Sequence, residues 1–172
     1  MAMLDIRRHA QRKDLADSQS ALSAAGREMC DRLAKVAPRY ALVVSSPLPR
    51  AKETAERIAG RLDGIDPGLL PDIAQGITER RTLADWAALM RDQEDARRFA
   101  EEQLPVWSRI ASRLEEKQTA LAVSHGGIID LPAVLLAQRL GTSLGGPAFG
   151  YCEGVRVTYR TGVAVKIEML RV

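Results

Sequence analysis

The sequence predicts an α/β fold: a three-layer sandwich in which a mostly parallel central sheet carries helices on both faces and a C-terminal antiparallel hairpin completes it. Three observations lead there. Short apolar runs alternate with longer segments whose apolar residues recur three and four apart, the signature of strands interleaved with amphipathic helices. One run, Thr119-Ala120-Leu121-Ala122-Val123-Ser124, is apolar nearly throughout, as a central parallel strand buried on both faces must be. Val155 to Tyr159 and Val163 to Met169 flank Arg160-Thr161-Gly162 and alternate like a hairpin.

Taken in order, Met3 to Arg7 reads as a short buried strand and Gln11 to Gln19 as a polar loop. Leu22, Ala25, Met29, Leu33 and Val36 follow at helical spacing, with Ser20 or Ser23 as cap and Pro38 as stop. Tyr40 to Val44 is a second strand. Ser45-Ser46-Pro47 supplies a cap and a first-turn proline for a helix with Leu48, Ala51, Ala55, Ile58 and Leu62 on one face, ended by Gly64 and Pro67. Residues 69–76 suggest a short edge strand before a loop. Thr82 caps a helix facing Leu83, Trp86 and Met90 inward, Asp92 opens another with Ala96 and Phe99, and Pro105 interrupts or restarts it toward Lys117. Residues 77–117 are thus a helical segment large enough to cover a site. The strand at Thr119 runs into His125-Gly126-Gly127 and an apolar helix from Ile128 to Leu140.

At 172 residues the chain fits one domain, 1–172, able to bury about 70% of its unfolded surface. Charged residues at 27% and hydrophobic ones at 46% are ordinary globular usage. Aromatic residues at 4% leave the packing to aliphatic side chains and argue against nucleic-acid stacking platforms. The net charge of +3 favours anionic partners but falls far short of a nucleic-acid binder. No run approaches the roughly 20 apolar residues of a membrane helix. The N-terminus lacks an apolar signal region, so a cytoplasmic setting is expected. Cys30 and Cys152 lie far apart without C-x-x-C spacing, so no disulfide framework or zinc site is indicated. Nothing in the pattern selects an oligomeric state.

The chemistry centres on Asp5-Ile6-Arg7-Arg8-His9-Ala10, where a histidine stands behind two arginines at the end of an apolar run. A ring nitrogen can act as a nucleophile, and guanidinium forks match phosphate oxygens with paired donors. His9 and His125 are the only histidines, and each directly follows an apolar strand. In an open α/β sheet, ligands bind beyond the carboxyl ends of the strands, so the two converge on one crevice if their strands are parallel. Arg50, in the first turn of its helix, joins them there. A cation is disfavoured at a helix N-terminus, which hints at a nearby anion. Gly126 and Gly127 allow close backbone approach to a ligand. Asp72 and Glu79 are carboxylates placed to serve as general acid.

Arg8-His9-Ala10, Leu22-Ser23-Ala24-Ala25-Gly26, Ser45-Ser46-Pro47-Leu48-Pro49-Arg50-Ala51-Lys52-Glu53-Thr54-Ala55 and Val123-Ser124-His125-Gly126-Gly127 resemble, in this order, the motifs of the histidine phosphatase superfamily, the phosphoglycerate mutase-like proteins. The resemblance spans about residues 4 to 130. Two departures stand out: Ala10 replaces the family's glycine, and Asp72 falls where a glutamate usually stands, with Glu79 at the second acidic position.

The resemblance implies a metal-independent phosphomonoesterase that needs no cofactor and acts on a small phosphorylated substrate or a phosphoprotein. His9 would take up the phosphoryl group, Arg8, Arg50 and His125 would hold its oxygens, and Asp72 would protonate the leaving oxygen. Gln11, Arg12, Glu79 and Gly126 are the substrate-binding candidates, Arg12 with Lys13 offering charge to a second acidic group. The alternatives are a mutase-type phosphotransferase and a catalytically weak phosphate- or phosphoprotein-binding module. The first would need long insertions enclosing the substrate. The second is motivated by Ala10 and the unconventional acid.

Overall fold

A computed structural model describes residues 1–70 and 80–172, and all structural statements concern these. Six strands form one sheet: β1 (Ala2–Arg8), β2 (Leu42–Ser45), β3 (Gly64–Ile65), β4 (Thr119–Ser124), β5 (Gly154–Arg160) and β6 (Val163–Leu170), in the order β3-β2-β4-β1-β5-β6. The first four neighbours are parallel, while β5 and β6 pair antiparallel at the far edge. The expected mostly parallel sheet with a C-terminal hairpin is therefore observed.

Strand alternation sends side chains to two separate cores. Leu4, Ile6, Leu42, Val44, Ala120 and Ala122 face one layer, built with α3 (Leu83–Asp92), α4 (Glu94–Ala111) and α5 (Asp130–Arg139). Val43, Leu121 and Val123 face the other, built with α1 (Ala24–Ala34) and α2 (Pro49–Ala59). Since successive residues point to opposite faces, a strand packed on both sides is buried at every position, as all six β4 residues are, and its centre from Ala120 to Val123 is accordingly apolar. Among the described residues no helix is long and apolar enough to cross a membrane.

Several boundaries differ from those expected. Ser23, one of the two expected caps, accepts from the Gly26 N–H and opens α1, which ends at Ala34 and leaves Val36 exposed. Helix α2 starts at Pro49 behind Leu48, not at Ser46-Pro47, because the Ser46 N–H extends the sheet by donating to Val123 O at 2.9 Å. It stops at Gly60, whose φ of 73° an L side chain resists, rather than at Gly64. An edge strand is formed by Gly64–Ile65, while most of the stretch expected to form one, residues 71–76, lies outside the described residues. Leu69 instead closes a single 3₁₀ turn capped by Asp66.

Gln93, not Asp92, precedes α4, and Asp92 ends α3. Helix α4 also runs through Pro105 without restarting, and it ends at Ala111 rather than Lys117. A mid-helix proline costs about 3 kcal/mol. Burying the flanking Val106, Trp107 and Ile110 against the core offsets that, at about 1.5–3 kcal/mol per large side chain. Helix α5 begins at Asp130, two residues later than the apolar run suggests.

Candidate active site

The parallel register of β1 and β4 creates the site. Arg8 stands opposite Ser124, so the next residue of each strand, His9 and His125, emerges at the same sheet edge. The His9 N–H donates to Ser124 O at 2.9 Å and locks that alignment. The imidazole centroids lie 5.1 Å apart with a 57° angle between planes. From the adjacent β2–α2 connection come Ser46 and Arg50. The result is a crevice of about 470 Å³ lined by Arg8, His9, Arg12, Arg50, His125 and Gly126, with Trp86 and Tyr151 on its walls.

Each imidazole has a defined setting. His9 Nδ1 lies 2.7 Å from Ala10 O, and a carbonyl can only accept, so Nδ1 carries the proton. The lone pair is therefore on Nε2, where Arg50 Nε donates at 3.1 Å. Burial, together with the charges of Arg50, Arg8 and Arg12, lowers the His9 pKa to about 3, outweighing the Ala10 hydrogen bond. His125 is lowered to about 2 by burial first and then by His9 and the same arginines. Its Nε2 pairs with Ser46 Oγ at 2.6 Å, and its buried Nδ1 has no partner among the described residues. Both rings are neutral near pH 7.

The cations are held from behind. Arg50 is only 8% exposed, its Nη1 donates to Ser18 O at 2.7 Å, and burial beside Arg12 and Arg8 shifts its pKa downward. Thr54 Oγ1, one turn on, accepts from the Ala10 N–H at 3.0 Å and donates to Arg50 O at 2.7 Å, tying the His9 loop to α2. Arg8 Nη1 donates to Phe149 O at 3.0 Å, and its guanidinium stacks 4.8 Å from the Tyr151 ring centre. Gly126 is backed against this guanidinium: a Cβ there would come within 2.9 Å of Arg8 Cζ. Ala10 is fully buried in the α1–α2 core, so the methyl that replaces a family glycine sits behind His9 and not in the crevice.

Of the residues singled out in the sequence, His9, Arg8, Arg50, His125, Arg12 and Gly126 come together. Gln11 does not: its side-chain carbonyl accepts from Ser23 Oγ at 2.8 Å beside the start of α1, away from the crevice wall. Asp72 and Glu79 lie outside the described residues, and no described residue lining the crevice is acidic. Cys152 and Glu153, which follow Tyr151, face elsewhere: Cys152 packs in the α1–α2 core, and Glu153 accepts from the Gly150 N–H and from Arg171.

Sequence reasoning missed Tyr151, Ser46 as the partner of His125, and Asp130. The Asp130 carboxylate is buried at the start of α5 and accepts from the Gly127 and Phe149 N–H groups, both at 2.8 Å, so it joins the two loops that carry His125 and hold Arg8. Burial raises its pKa against those two bonds. The available signal was a lone acid in the otherwise apolar stretch from Ile128 to Leu136.

Comparison with known proteins bears on the fold and the family. No curated protein matches the chain significantly. Among solved structures, it is similar to phosphoserine phosphatase from Entamoeba histolytica, solved with 3-phosphoglyceric acid, at TM-score 0.69 and 19% identity, over 97% of this chain and 96% of that one. Similarity to phosphoglycerate mutase from Bacillus anthracis has TM-score 0.66 and 17% identity, over 98% and 92%. Mycobacterial glucosyl-3-phosphoglycerate phosphatase gives TM-score 0.63 and 19% identity, over 97% and 96%. At these identities the likeness is one of fold. The sequence model of the histidine phosphatase superfamily (branch 1) matches residues 6–162, nearly the whole chain, and with the paired histidines at the shared edge of β1 and β4 the protein belongs to that superfamily.

Proposed function

We propose that the protein is a phosphomonoesterase that works through a phosphohistidine on His9. The observation that carries this reading is the tautomer: Nδ1–H is spent on Ala10 O, which leaves a neutral Nε2 with its lone pair toward the cations of the crevice. Such a nitrogen can attack phosphorus without first losing a proton. As the phosphoryl group arrives, Arg50 exchanges its bond to Nε2 for a bond to an equatorial oxygen, and Arg8 and Arg12 add charge at the same wall. A donor on His125 Nδ1 completes the cradle when Ser46 donates to Nε2. A carboxylic acid, Asp72 or in its place Glu79, gives its proton to the leaving oxygen, and the resulting carboxylate takes one from the water that then splits the P–N bond. Residues 77–117 act as cover in this scheme, with Trp86 their contribution to the crevice wall.

Three guanidiniums supply the positive field, and on that ground we propose that turnover needs no divalent metal. The substrate class is a small phosphomonoester or a phosphoprotein, acted on in the cytoplasm. The test is hydrolysis of p-nitrophenyl phosphate by wild type and by His9→Ala, with and without EDTA. Turnover in wild type that survives chelation and vanishes in the variant is expected. Equal background from both proteins would favour a phosphate-binding module, and turnover restored to chelated enzyme only by a divalent ion would overturn metal independence.

A further inference from the structure

Strand β6 closes the sheet on one side, and among the described residues no backbone hydrogen bond joins it to any segment but β5. Its outer edge is a row of backbone donors and acceptors that face away from the sheet. Proteins blunt such an edge with proline, a lone lysine, a bulge or a short strand. Here the strand has eight residues and no proline, its one bulge lies toward the hairpin turn, and its one lysine, Lys166, is paired with Glu168 at 2.8 Å. Apolar surface collects along the same edge. Of the eight large hydrophobic residues exposed among the described ones, Val163, Val165, Met169 and Val172 belong to this strand or the two residues after it, at 65, 39, 42 and 71% exposure. A long, apolar, unblunted edge is a template for another strand.

We propose that β6 pairs antiparallel with β6 of a second copy of this chain, in a two-fold register centred on Ile167, so that the two sheets join into one. The charges select both this occupant and this register. A two-fold contact requires that residue i meet residue j while j meets i. Centred on Ile167, Lys166 faces the second copy's Glu168 and Glu168 faces its Lys166, which gives two opposite-charge pairs across the axis. Moving the centre to 166 sets lysine on lysine, and moving it to 168 sets glutamate on glutamate. Only the register between them is free of a like-charge clash among these three.

The apolar residues agree with it. The same register sets Val165 against Met169 and Ile167 against its own copy. Residues directly opposite in paired strands share a face, so Ile167 beside Val157 and Met169 beside Val155 lie on the side packed against α3, α4 and α5. That layer then continues across the axis. Further along, Val172 falls opposite the second copy's Gly162. The tight turn at Thr161 and Gly162, with φ 48° and 79°, therefore arrives beside a cavity of about 410 Å³ that Val172 lines with Met29, Leu33, Val36, Arg32 and Arg171.

The experiment is sedimentation equilibrium on the full chain from low to high micromolar concentration, with wild type, Lys166→Glu and Glu168→Lys. Wild-type mass should climb from 18.8 kDa toward twice that value as concentration rises. Each single variant sets like charges across the axis, so its dissociation constant should increase by about tenfold or more. The equimolar mixture of the two variants is the sharper sample. In a mixed pair every glutamate of one chain meets a lysine of the other, so a heterodimer should form although neither variant associates with itself, and this recovery also shows that both variants are folded. Wild type that stays monomeric throughout overturns the proposal. Dimers undiminished in both single variants put the contact elsewhere and overturn it as well. Variants that lose association and do not regain it on mixing overturn the two-fold register. None of these readouts depends on what the crevice binds.

Discussion

Arg50 Nε donates to His9 Nε2 across 3.1 Å, so the guanidinium rests on the lone pair with which the imidazole would attack. The same group must then follow charge onto the phosphoryl oxygens. Arg50→Ala should lower kcat by about 10²–10³-fold, the range for loss of one preorganised donor to a transition-state oxyanion. Arg50→Lys should recover only part of this, because a point charge replaces a fork that holds Ser18 O and the site together. Steady-state kinetics on p-nitrophenyl phosphate decide it, and near-wild-type kcat in the alanine variant would count against the role.

The two depressed imidazole pKa values make stability depend on pH in a defined window. In the native state His9 and His125 stay neutral down to about 3 and about 2, whereas in the unfolded chain they take up protons near 6.5. Below 6.5 the unfolded state therefore binds more protons, and stability falls with falling pH by up to about 1.4 kcal/mol per pH unit for each histidine. Carboxylates with lowered values, such as Glu53, add their own loss only below their ordinary 4.5. Urea midpoints between pH 6.5 and 4.5 should fall in wild type and much less in a His9→Ala/His125→Ala double variant. Parallel curves for the two proteins would contradict the neutral pair.

Gly126 tests how closely Arg8 is seated. An added methyl would press on the guanidinium at 2.9–3.1 Å from three of its atoms, and that side chain is pinned by Phe149 O and Tyr151. Gly126→Ala is expected to leave far-UV circular dichroism unchanged and to reduce kcat/KM by about 10–100-fold. Unaltered kinetics would show that Arg8 can shift without consequence.

Much of this site was legible because its residues occupy strand ends. Apolar β4 announced a central strand, and the residues directly after β1 and β4 had to share an edge once the strands were parallel. Local chemistry was legible too: Ser23 and Thr82 cap the helices that follow them. What escaped depends on partners distant in sequence. Ser46 reads as a helix cap until His125 is seen to occupy its hydroxyl, and Tyr151 has no periodicity to mark it. Pro105 reads as a break because the proline penalty is local, while the burial of Trp107 and Ile110 that outweighs it is tertiary.

Asp130 positions rather than reacts, since both of its oxygens are taken by backbone N–H groups. Asp130→Asn keeps the shape but turns one acceptor into a donor facing a donor. A cost of about 1–3 kcal/mol in stability is expected for the buried N–H left unpaired. The loop 147–150 would loosen its hold on Arg8, so KM for p-nitrophenyl phosphate should rise more than kcat falls. A variant as stable as wild type would remove Asp130 from the account.

The most direct measurement is capture of the covalent enzyme: mix the protein with a phosphomonoester, quench within one turnover in alkali, and map the adduct by mass spectrometry. The account predicts one phosphoryl group on His9, stable in base, released by acid and absent from His9→Ala. Turnover with no adduct on His9, or with an adduct on another residue, would contradict it.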